Sequence, residues 1–176
     1  MTTSVLADAI AHHVWATERI IDACAGLTPE QLAAPCPGTF GPIDATLRHL
    51  VATDTWYLTF FAIEQPPAMD EAVETPLAEL RAAITRNGTL WAAVVAGATD
   101  GDADTVEHGE GWRFHAPVGF RLAQVVHHGT DHRSQVCTAL TSLGITPPDI
   151  DLWAWGEATG RTSVERVLVA GGPEPA

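Results

Sequence analysis

Apolar residues recur at helical spacing in four long stretches, separated by breaks rich in proline and glycine. The first runs from about Ser4 to Gly26 and sets Val5, Ala9, His12, Ala16, Ile20 and Ala23 on one face. Ser4 suits its start and Gly26 its end. Thr28-Pro29-Glu30-Gln31 then has a capping threonine, a proline at the first helical position and a glutamine three residues after the cap. Pro35 and Pro37 limit it to a short turn. A second helix is predicted from Pro42 to about Ile63, covered by Leu47, Leu50, Val51, Leu58 and Phe61, with Trp56 and Phe60 on an adjacent stripe. A third opens at Thr75-Pro76 and faces Leu77, Leu80, Ile84, Trp91, Val94 and Val95 one way. Thr105 to His115 alternates across Gly109-Glu110-Gly111 as a short hairpin would. Pro117 leads into a fourth helix closed by Gly144 and Pro147-Pro148.

This order predicts an all-α fold, a four-helix bundle with a small β-hairpin between helices three and four. Residues 1–152 make up the bundle, and 153–176 form a C-terminal extension expected to be partly irregular.

Composition narrows the chemistry. The formal charge is −13, and every one of the nine basic residues is arginine. Without lysine there is no Walker-type phosphate loop and no Schiff-base amine. An acidic chain with no basic run is a poor partner for nucleic acid or an anionic membrane. The three cysteines, Cys24, Cys36 and Cys137, include no Cys-x-x-Cys pair, so neither a disulfide framework nor a cysteine zinc site is indicated. The N-terminal residues lack the basic segment of a signal peptide, and the longest apolar stretch is too short to span a bilayer; a cytoplasmic protein is expected.

The candidate chemistry lies in the histidines. His128 and His132 are four apart on the fourth helix, which brings their β-carbons to about 5–6 Å on one face. That face also carries Val125, Val136 and Ala139, so it points inward. Two imidazoles so placed can converge on one ion, and metal sites in bundles draw on facing helices. His49, midway along the second helix with Thr46, Thr53 and Trp56, is the best third ligand. A hydrogen-bonded core cluster would leave the same pattern. His127 projects about 100° from His128 and is expected at the surface or supporting a ligand rather than ligating. His12 and His13 can reach the interior, while His108 and His115 fall on the hairpin and are expected in solvent. Arg133 is expected to pair with a carboxylate at the surface or to make a dimer contact. No Glu follows His128, which disfavours a His-Glu-x-x-His metalloprotease.

The run HHGTDHRSQV from His127 to Val136 resembles the fourth-helix signature of the DinB/YfiT-like family, usually Asn-His-Gly-Thr-His-His-Arg-Gly-Gln. LRHLVATDTWYL, from Leu47 to Leu58, is similar to its second-helix motif, and His12 to Ile43 to its opening helix and loop. Asp131 stands where a histidine is frequent, and Ser134 replaces the usual glycine. The resemblance implies a four-helix bundle, often a homodimer, holding one divalent metal on His49, His128 and His132.

Three neutral imidazoles leave an ion its full charge and an open position, the arrangement of a catalytic site. They suit zinc or nickel, and iron or copper as well. Relatives in the family include low-molecular-weight-thiol S-transferases and a thiol-dependent isomerase. The resemblance therefore implies a metal-dependent transferase that uses a small thiol on a small-molecule electrophile. The alternatives are a metal-dependent hydrolase and a non-catalytic metal-binding stress-response protein. Asp54 and Glu18 are candidate general bases by position along the helices alone.

Overall fold

The computed structural model describes residues 4–61, 64–98 and 100–165. Among these residues the chain is mostly helical, with six helices and one two-stranded antiparallel sheet. The helices are α1 (Val5–Cys24), α2 (Pro29–Leu32), α3 (Ile43–Leu58), α4 (Leu77–Gly97), α5 (Val118–Ser142) and α6 (Leu152–Ala158). Strands β1 (Asp104–Gly109) and β2 (Trp112–Pro117) precede α5.

The helix starts follow the local chemistry. Ser4 Oγ accepts from Ala7 N at 3.1 Å, and Thr28 and Gln31 form the reciprocal capping box. Helices α3, α4 and α5 each begin just after a proline, at Pro42, Pro76 and Pro117, whose fixed φ suits a helix entrance. The first two amides of α5 donate instead to Ala103 O and Gly101 O, both at 2.8 Å. At the far end of α5, Gly144 takes φ 75° and Ile145 N donates to Leu140 O, a left-handed stop that a side chain would strain.

Helix α1 packs on α4 and α5, and α3 packs on the same two, so the four long helices enclose the core. One part of it joins Ile20, Ile21, Ile43, Leu47, Val51, Leu80, Ile84, Val136 and Leu140. A second, nearer the hairpin, joins Ile10, Tyr57, Leu58, Trp91, Leu122 and Val125. The hairpin pairs Asp104 with Pro117 through Gly109 with Trp112. It is tied to α5 by Arg121 Nε, which donates to Thr105 Oγ1 at 2.6 Å.

One element differs from expectation. Helix α3 ends at Leu58, because the amides of Thr59, Phe60 and Phe61 turn back to carbonyls three residues earlier; residues 62 and 63 of the expected helix lie outside the described residues. The segment after Pro148 contains a short helix, α6. Asp151 caps α6 by accepting from Ala154 N at 2.7 Å, and Trp155 is buried beside His12 of α1. Residues 166–176 of the expected extension lie outside the described residues. No helix among the described residues is long and apolar enough to cross a membrane.

Candidate metal centre

Helices α3 and α5 lie side by side, and their facing surfaces bring three imidazoles together. His49 from α3 and His128 and His132 from α5 offer ring nitrogens that all lie within 4.8 Å of one another, a grouping that can hold a metal ion. The Nε2 atoms of His49 and His128 are 3.1 Å apart. The ring centroids of His128 and His132 are 4.4 Å apart, and those of His49 and His132 4.8 Å.

Two of the three rings have a partner at the outer nitrogen. His49 Nδ1 sits 2.6 Å from Glu71 Oε2, on the segment joining α3 to α4. His132 Nδ1 lies 3.1 Å from Gln135 Oε1. An Nδ1–H donated to each acceptor leaves the Nε2 lone pair free, the usual way of orienting a ligand imidazole. Burial holds the His128 imidazolium well below its ordinary value, down to about 4, with His132 and His49 adding to the effect. Burial lowers His132 as well. Neutral imidazole, the form that ligates, is thus the form His128 and His132 favour at neutral pH.

The donor set fits a divalent ion. Two ligand nitrogens at tetrahedral positions about 2.05 Å from zinc stand roughly 3.3 Å apart, close to the observed pair. Phe40 closes one side: it stacks on His49 at 4.2 Å between centroids and meets His132 edge-on at 5.3 Å. Its amide donates to Gln135 Oε1 at 2.9 Å, so one side chain holds both a ring and its cover.

Behind the histidines lies a buried polar cluster. Asp54 Oδ1 accepts from His13 Nε2 at 2.9 Å and from Trp91 Nε1 at 3.0 Å, and Oδ2 accepts from Asn87 Nδ2 at 2.8 Å. Arg133 Nη1 donates to His13 Nδ1 at 2.9 Å, which makes Nε2 the protonated nitrogen of that ring. Arg133 is therefore buried beside α1 and does not pair with a surface carboxylate as expected; burial pushes it down to about 10, offset by Asp54, and it stays charged. Glu18 is no base at this site either, since it bonds Arg81 and Thr85 on the α1–α4 surface.

The other expected positions fall as follows. His127 and His108 are exposed, and His115 pairs with Asp104 in solvent. His12 Nε2 donates to Ile150 O at 2.8 Å, away from the triad. Sequence reasoning did not single out Glu71, Gln135 or Phe40. Gln135 was within reach, because it sits one helical turn past His132.

The DinB family profile matches residues 1–162. The chain belongs to the DinB family. Among solved structures, the chain is similar to a DinB-like protein from Bacillus cereus ATCC 10987, at 16% identity and a TM-score of 0.61. That match covers 85% of this chain and 99% of the other, and it shows the DinB-like fold. No curated protein matches the chain.

Proposed function

We propose that His49, His128 and His132 hold one divalent metal ion, zinc or nickel, through their Nε2 atoms, and that this DinB-family protein is a metal-dependent transferase of low-molecular-weight thiols. The reading takes α1, α3, α4 and α5 as a four-helix bundle, supported by the closed ring of contacts α1–α4–α3–α5. The observation that carries the metal site is the convergence of three imidazoles, two of which, His49 and His132, have their outer nitrogens engaged by Glu71 and Gln135. A bound ion would supply a Lewis acid able to favour the deprotonated form of a thiol or of water.

The chain's own residues bear on where the thiol comes from. Burial pushes the Cys24 thiol up to about 12, and it raises Cys137 too. Both stay protonated at neutral pH, which favours a thiol supplied from solution. Phe40 offers an apolar wall beside the triad for a small electrophile. The resemblance set out above supplies the choice of thiol over water as nucleophile, and also the homodimer. Exposed Trp112, Phe114 and Phe120 at the hairpin end give such a dimer an apolar surface.

The test mixes zinc- or nickel-loaded protein with cysteine, glutathione or a sugar-linked bacterial thiol and monochlorobimane, whose fluorescence rises as the carbon–sulfur bond forms and chloride leaves. Thioether formation above the uncatalysed rate, absent without metal and in His128→Ala, is the expected result. Metal-loaded protein that neither binds nor consumes any of these thiols overturns the transferase and leaves hydrolysis or non-catalytic metal binding.

A further inference from the structure

We infer that the buried cluster of Asp54, His13 and Arg133 is a positioning device that sets the register of α3 against α5, and so the spacing of His49 from His128 and His132; the inference rests on the metal reading above. Its members reach every long helix. Asp54 belongs to α3, His13 to α1, Asn87 and Trp91 to α4, and Arg133 to α5. One carboxylate accepts from α1 and α4 together, and His13 passes the connection on to α5.

The placement along α5 is specific. Arg133 and Gly129 each follow a triad histidine by one residue, so they face about 100° around the helix, toward α1. The His13 ring occupies the notch that Gly129 leaves. A Cβ at position 129 would come closer than 3.0 Å to His13 Cε1, His13 Nδ1 and Arg133 Nη1. Helix α5 therefore meets α1 at one height. Asp54, five residues after His49, fixes the height of α3 against the same imidazole.

The chemistry of the cluster explains why it would act on register more than on bulk stability. Apolar packing tolerates a slide of one helix past another, because a methyl group finds another methyl group. A buried carboxylate and guanidinium do not, since a slide leaves each desolvated without its partner. The cluster is nearly complete: Arg133 Nη1 also reaches His13 O and Thr17 Oγ1, Nη2 reaches Thr130 Oγ1, and Asn87 Nδ2 reaches Thr55 Oγ1. Among the described residues, Asn87 Oδ1 is the buried side-chain atom of this group left without a partner.

The experiment compares wild type with Asp54→Asn, His13→Gln and Leu140→Ala. Leu140 is a fully buried α5 residue in the other part of the core and serves as a destabilising control. Two quantities are read: cobalt(II) affinity with its visible absorption bands, and the ring Cε1–H NMR signals of His49, His128 and His132 in metal-free protein. We expect Asp54→Asn to lose about tenfold or more in cobalt affinity, with weakened or shifted bands and multiple or broadened ring signals. His13→Gln keeps a donor for Asp54 and an acceptor for Arg133, and it should recover most of both. Leu140→Ala should lower the melting temperature and leave both near wild type. Wild-type affinity and single sharp ring signals in Asp54→Asn would overturn the inference, as would an equal loss in Leu140→Ala. Wild type that binds no cobalt overturns the metal reading, while the ring signals still decide the positioning role.

Discussion

Replacing His128 by Gln should flatten part of the acid sensitivity of the metal-free protein. In the folded chain, burial and the neighbouring rings of His132 and His49 hold the His128 imidazolium down to about 4, against an ordinary 6.5. Because the folded value lies below the unfolded one, protonation favours the unfolded state. The stability His128 contributes by staying neutral is fully present above pH 6.5 and is lost as pH falls toward 4. At ~1.4 kcal/mol per pH unit the difference bounds the effect at ~3 kcal/mol. His128 is only half-buried, so solvent screening reduces this to ~2 kcal/mol. The assay is urea unfolding of chelator-treated protein at pH 7.5 and pH 4.5. Carboxylates titrate in both proteins and cancel in the comparison, so wild type should lose ~2 kcal/mol more than His128→Gln across that interval. Equal losses in the two proteins would refute the crowding of His128 by burial and by two like-charged neighbours.

Other perturbations test the rest of the site and fold. Glu71→Ala removes the acceptor at His49 Nδ1 and should weaken metal binding about tenfold, measured by competition with a chromophoric chelator, while urea stability changes by less than ~0.5 kcal/mol. Phe40→Ala uncovers the triad and should speed metal removal by chelator; because Phe40 is about half exposed, the cost in stability should stay under ~1 kcal/mol. Trp155→Ala should cost roughly 3 kcal/mol in urea unfolding by taking away the buried anchor of α6, and a loss under ~1 kcal/mol would show that α6 adds little.

The four long helices were legible because their apolar positions keep a 3.6-residue period between proline breaks, and the hairpin because a two-residue turn interrupts an alternating run. The triad was legible for a related reason. Four-residue spacing within one helix fixes a shared face whatever the tertiary structure, and His49 needed only a neighbouring helix. The buried cluster was not, since His13, Asp54 and Arg133 are distant in sequence, no spacing links them, and Arg133 alone reads as a surface residue. A clue was present in Gly129, a glycine inside a helix where it costs stability, flanked by the residues that matter. Glu71 lies on a connection with no periodic signal, and a seven-residue helix such as α6 is too short for one.

The most direct test of the central claim is the metal content of untagged protein by mass spectrometry, wild type beside His49→Ala and His128→Ala. Wild type should carry about one equivalent of zinc or nickel and both variants should lose it, since each removes one of three converging imidazoles. Wild type that stays metal-free after incubation with zinc and nickel, or variants that keep a full equivalent, would contradict the claim.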